Sequence, residues 1–82
     1  MGFMSAGTFV KVALAELVSR GCRVEVVAHD PPAVHFSRPD GTRCAVVVEG
    51  EAIVLARPDQ PERFHSLRSA LLAACGPRVR TA

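Results

Sequence analysis

Apolar residues recur every three or four positions near both ends of this chain and every second position between them, so two helices should flank a run of strands. Val10, Ala13, Leu14, Leu17 and Val18 form one helical stripe with Phe9 on its edge. Ser5 can cap that helix and Gly21 can stop it just past Arg20, in the left-handed conformation that glycine tolerates. Lys11, Ser19 and Arg20 lie off the stripe, and Glu16 sits four residues before Arg20, the spacing of a surface ion pair. The period then drops to two over residues 22–28. Cys22, Val24, Val26 and Ala28 should point one way and Arg23, Glu25 and Val27 the other.

His29-Asp30-Pro31-Pro32 interrupts this first strand, because neither proline can donate to a ladder. Residues 33–37 and 44–49 flank Arg38-Pro39-Asp40-Gly41-Thr42-Arg43. Pro39 presets φ there and Gly41 can take the positive φ that closes a reverse turn, so the two runs should pair as a hairpin. Val34 and Phe36 share a face, as do Cys44, Val46 and Val48. Glu49-Gly50-Glu51 reads as a second tight turn into a strand over 52–57. Asp59-Gln60-Pro61-Glu62 carries the residues of a helix start, with Asp59 as cap, Glu62 as its reciprocal partner and Pro61 in the first turn. Phe64, Leu67, Ala70, Leu71, Ala74 and Cys75 would be the stripe of that helix, ended by Gly76-Pro77.

The expected fold is therefore α+β in the order α-β-β-β-β-α: a four-stranded antiparallel meander with two helices packed on one face. At 82 residues the chain makes one domain, because a chain this short buries only about 60% to 65% of its unfolded surface and cannot divide that between two cores. The core should span about 5–76, with 77–82 a flexible basic tail.

The face away from the helices departs from the usual pattern. Besides Arg23, Glu25, His35, Arg43 and Glu49, it should present Val27, Ala45, Val47, Ala52, Val54 and Ala56. A sheet with one wet side normally alternates into polar residues, and uncovered aliphatic positions in a cluster mark an interface. The expectation is a small non-catalytic interaction module, self-associating as a homodimer or binding a small protein partner through that face.

Composition adds limits more than identity. A hydrophobic fraction of 49% argues for a packed core, and no run approaches the ~18 to 20 apolar residues of a membrane span. The first residues lack the basic segment and long apolar run of a secretion signal, which points to a soluble cytoplasmic protein. Cys22, Cys44 and Cys75 are odd in number, fall at apolar positions and show no metal-ligand spacing, so they read as reduced core residues, with no metal and no cofactor implied. His29 beside Asp30, His35 on a strand and His65 near the last helix have no nucleophile or carboxylate set around them, so no catalytic residue is assigned. The net charge of +2 is slight. Arg38 and Arg43 at the hairpin tip, with Arg63 and Arg68 on the last helix, are the alternative site: phosphate contacts to RNA or DNA.

A helix ending in Gly21-Cys22-Arg23, a strand ending Phe36-Ser37-Arg38-Pro39 before Asp40-Gly41-Thr42-Arg43, and a last helix carrying Leu67-Arg68-Ser69-Ala70-Leu71 and closing on Gly76 resemble HicA-type toxins. The resemblance implies the fold of double-stranded-RNA-binding domains, RNA as a partner and a place in a toxin–antitoxin pair. That family's essential histidine precedes the aromatic matching Phe36 by three residues. Pro31, Pro32 and Ala33 stand in that stretch here, so the resemblance transfers no catalytic histidine and makes a ribonuclease of this chain only if His35 serves instead.

Overall fold

A computed structural model describes residues 6–76. Helix α1 (Ala6–Ser19) is followed by strands β1 (Arg23–His29), β2 (Pro32–Ser37), β3 (Arg43–Glu49), β4 (Ala52–Ala56) and β5 (Pro61–Phe64), and then by helix α2 (Leu67–Cys75). The strands form a single antiparallel sheet in chain order, a meander. Both helices cover one face, α1 over β1 and β2, α2 over β3, β4 and β5, and they touch each other. The α+β class, the meander and the shared helix face agree with the pattern of hydrophobic positions. Ser5 and the expected tail at 77–82 lie outside the described residues.

The core fills the space between helices and sheet. Phe9, Leu17, Val34, Phe36, Val46, Leu55 and Leu71 are the largest side chains fully withdrawn from solvent. On α1 the buried line runs Phe9, Ala13, Leu17, rotated from the expected stripe, so that Phe9 is central and Val18 is 68% exposed. Residues four apart rise in line on a helix, and the bulky Phe9 and Leu17 seat that line against β1 and β2. The rotation also brings Arg20 inward to 5% exposure. Its guanidinium donates to the Glu16 carboxylate, to Glu16 O at 3.1 Å and to Gly76 O at 3.1 Å. The expected Glu16–Arg20 pair exists, then, but as a buried clasp between the ends of the two helices rather than as a surface pair.

Cysteine chemistry at the same corner corrects the reading of three reduced thiols. Gly21 (φ 79) turns the chain out of α1, with its N–H on Val18 O and that of Cys22 on Leu17 O. Gly76 (φ 77) closes α2 with its N–H on Leu72 O. These two stops bring Cys22 and Cys75 together as a disulfide 53 residues apart in sequence, while Cys44 stays free and buried.

The second correction is a fifth strand. Asp59-Gln60-Pro61-Glu62 does not start a helix; residues 61–64 pair along β4, with Leu55 opposite Glu62 and Ile53 opposite Phe64. Backbone groups on the open edge of β4 offer ready partners, and Phe64 reaches the core from the strand without any helix. Proline is tolerated at the first residue of an edge strand. The true helix start lies at Ser66, whose hydroxyl accepts the Ser69 N–H at 3.1 Å.

Both turns anticipated from glycine are present. At the β2–β3 connection Gly41 (φ 93) donates its N–H to Arg38 O at 2.8 Å, and Arg38 N–H bonds Thr42 O at 2.8 Å. At the β3–β4 connection Glu49 lies opposite Ala52, leaving a two-residue loop whose first member is Gly50, with φ 63. That positive φ lets the twist of the turn match the twist of the strands.

Candidate functional site

Directly opposed residues in an antiparallel ladder share a face, so the register sorts every side chain. On the face without helices, one row runs Ala28, Ala33, Val47, Val54, Arg63 across the five strands, and the next runs Val26, His35, Ala45, Ala56, Pro61. Arg23, Ser37 and Arg43 form a row towards the β2–β3 hairpin, while Glu49 and Ala52 lie at the opposite end.

Five of the six aliphatic residues expected on this face are on it: Ala45, Val47, Ala52, Val54 and Ala56. Val27 is not. Val24 pairs with Phe36, but the next partner of β2, His35, is met by Val26, so Glu25 is an extra residue in β1. This bulge reverses the alternation. Val27 is opposite the fully buried Val34 and faces the helices from the edge strand, while Val26 takes the outer position at 56% exposure. Ala28, expected on the same face as Val24, is carried with Val26 to the outer band by the same bulge, and Ala33 opposite it also belongs there, although it was not singled out. Simple alternation back from Val34 reaches Ala33, and the adjacent Val26-Val27 was the one hint that β1 changes phase.

The band is not flat. Val47 and Val54 stand side by side, half-buried, as a ridge. Beside them Ala45 is small enough to be only 6% exposed and Ala56 is half-buried. With Val26, His35, Arg57 and Pro58, these alanines line a shallow open depression of about 440 Å³.

Charge is unevenly placed around it. Glu25 accepts from Ser37 Oγ and lies 3.7 Å from Arg43 Nε, and Arg43 is nonetheless 82% exposed. At the other end Arg63 bonds Glu49 at 2.8 Å, with Glu51 and Asp30 exposed in the adjoining turns. Arg57 bonds Glu62 at 2.6 Å.

The four arginines of the alternative site do not converge. Arg38, on the hairpin, is 3.8 Å from Asp40. Arg43 and Arg63 share the outer face, but two strands and four residues separate them, ~10 Å across and ~13 Å along. Arg68 is on α2, in the layer behind the sheet.

The histidines are equally dispersed. His29 ends β1 opposite Pro32, on the helix side; His35 is on the outer face, and His65 joins β5 to α2. Among the described residues no three of His, Cys, Asp and Glu gather as a metal would require. The Thr42 backbone N–H, followed by its side chain, holds the Asp40 carboxyl below the usual carboxylate range. Burial pushes the Cys44 thiol up, against the opposing pull of Arg38 and Arg57, which makes it a poor nucleophile.

Among the described residues no helix is long and apolar enough to cross a membrane. Comparison of the chain with family models, characterised proteins and solved structures finds no match. The likeness to HicA-type toxins therefore rests on the sequence features alone.

Proposed function

We propose that this chain is a small non-catalytic binding module that self-associates through the outer face of its sheet. The observation that carries the reading is the Val47–Val54 pair at the centre of that face, continuous with Ala33, Ala45 and Ala56 and covered by neither helix. An aliphatic band of this kind gains by leaving water, at ~25 cal/mol for each Å² removed.

The sheet edges support the same reading by contrast. Edge strand β1 carries the bulge and the exposed charges Arg23 and Glu25. At the other edge, β5 is four residues long, opens with Pro61 and presents Glu62 and Arg63. Those devices discourage strand-to-strand pairing, and nothing comparable interrupts the middle of the face.

The test is molar mass in solution by sedimentation equilibrium. The wild-type chain is expected to be a dimer at micromolar concentration. Val47→Lys combined with Val54→Lys should give a monomer with an unchanged far-UV spectrum, since both side chains lie outside the core. A wild type that remains a monomer throughout the micromolar range removes the reading.

A further inference from the structure

The outer face carries its own complement, and this gives the self-association a definite geometry. Rows of side chains on it alternate in height: the ridge of Val47 and Val54 lies beside the depression floored by Ala45 and Ala56, one pleat away on the same two strands. They also alternate in charge from end to end. Arg23 and Arg43 mark the hairpin end, where Glu25 is the counter-charge, and Glu49, Glu51 and Asp30 the other, where Arg63 is the counter-charge.

We infer that two copies meet face to face about a two-fold axis parallel to the sheet and perpendicular to its strands, crossing β3 between Ala45 and Val47. This rests on the proposed self-association and adds its orientation. Such an axis lays each row of one copy on the mirror-placed row of the other, because a two-fold interface is self-complementary. The Val47–Val54 ridge of each copy enters the Ala45–Ala56 depression of the second copy, large against small. Arg43 comes over Glu49 of the second copy, and Arg23 comes to the end of β1 near Asp30 of the second copy. Strands of the two sheets stay nearly aligned, the usual arrangement for sheets stacked face to face.

A second copy is favoured as occupant by charge, and the area of the face allows a weak dimer. Turned end for end, the face answers its own charges; a parallel stacking would set Arg43 on Arg43 and Glu49 on Glu49. Five strands at ~4.8 Å spacing and ~20 Å of strand length give a face of roughly 450 Å² per copy, or roughly 900 Å² in all. That is below the roughly 1,200 Å² of stable interfaces and in the range of weak, transient pairs, which fits a dimer that exchanges at micromolar concentration. The ion pairs within each copy, Arg43 with Glu25 and Arg63 with Glu49, are exposed and hold their partners weakly enough to be shared.

Charge exchange across the interface tests the orientation in the full-length chain. Arg43→Glu alone and Glu49→Arg alone should each weaken dimerisation about tenfold or more at low salt, and the double variant should return to within about threefold of wild type. Denaturation midpoints of all three chains, measured at concentrations where they are monomers, separate any effect on folding. A dimeric wild type whose double variant is no tighter than the singles overturns the orientation and leaves self-association standing. A wild type that is monomeric at low salt overturns both and leaves the face to a different protein.

Discussion

Both faces of the sheet carry aliphatic residues on the central strands, and the two have opposite fates. Toward the helices, Val34, Val46, Leu55 and Phe36 are fully buried; away from them, Val47, Val54, Ala45 and Ala56 carry smaller aliphatic groups with no second layer over them among the described residues. Position in the layering, more than hydrophobicity, separates a core from a surface that can bind. The helix-side face has also been given length and branching, while the outer face is limited to valine and alanine, which expose little each and raise an interface by small steps.

That contrast can be broken most severely from the core side. Phe36→Ala should remove about 3 to 5 kcal/mol of stability by leaving a cavity, whereas Val47→Ala, next to the core residue Val46 in β3 but on the other face, should cost under about 1 kcal/mol in the monomer. Urea denaturation of the two variants side by side measures the difference, and equal losses would mean that the outer face is packed like the inner one.

The helix layer depends on the corner where α1 and α2 meet. Cys75→Ser opens the loop that the Cys22–Cys75 disulfide closes, with an expected loss of about 2 to 4 kcal/mol under oxidising conditions. Wild type treated with reductant should fall to the level of the variant. Identical midpoints in oxidised and reduced wild type would show that the clasp is held by Arg20 and packing instead.

A smaller effect is expected at the bulge, where one residue decides which face the rest of β1 presents. Deleting Glu25 should cost on the order of 1 kcal/mol and keep Val26 opposite His35, because Val24 and Val26 already occupy successive steps of the β2 ladder. Amide exchange would then show an uninterrupted β1–β2 ladder. A shift of register, with Val27 outward, would mean that Glu25 and its contacts to Ser37 and Arg43 hold the pairing.

The hairpin at Gly41, the turn at Gly50, the stop at Gly21 and the three central strands were legible because their signals are local: a residue that accepts positive φ, or an alternation completed within a few positions. The outer band was legible for the same reason wherever alternation ran unbroken, at Ala45, Val47, Ala52, Val54 and Ala56. Val27 was misplaced because a bulge leaves only a Val-Val pair as its trace. The four arginines looked like a group since Arg63 and Arg68 were assigned to one helix; once Arg63 belongs to β5, the sheet itself lies between them.

By itself the sequence determined how many apolar faces exist and roughly where the chain reverses, since periodicity and turn chemistry depend on neighbours a few residues away. Only the tertiary structure decided that residues 61–64 join β4, that Arg20 turns inward, that Cys22 finds Cys75, and that β1 changes phase at Glu25. Two of those outcomes depend on a group supplied from far along the chain, the carbonyl of Gly76 and a second sulfur, and the other two on the backbone ladder of the adjoining strand, which side-chain periodicity does not record. A free energy that arises only when the whole is assembled leaves no mark on the local pattern.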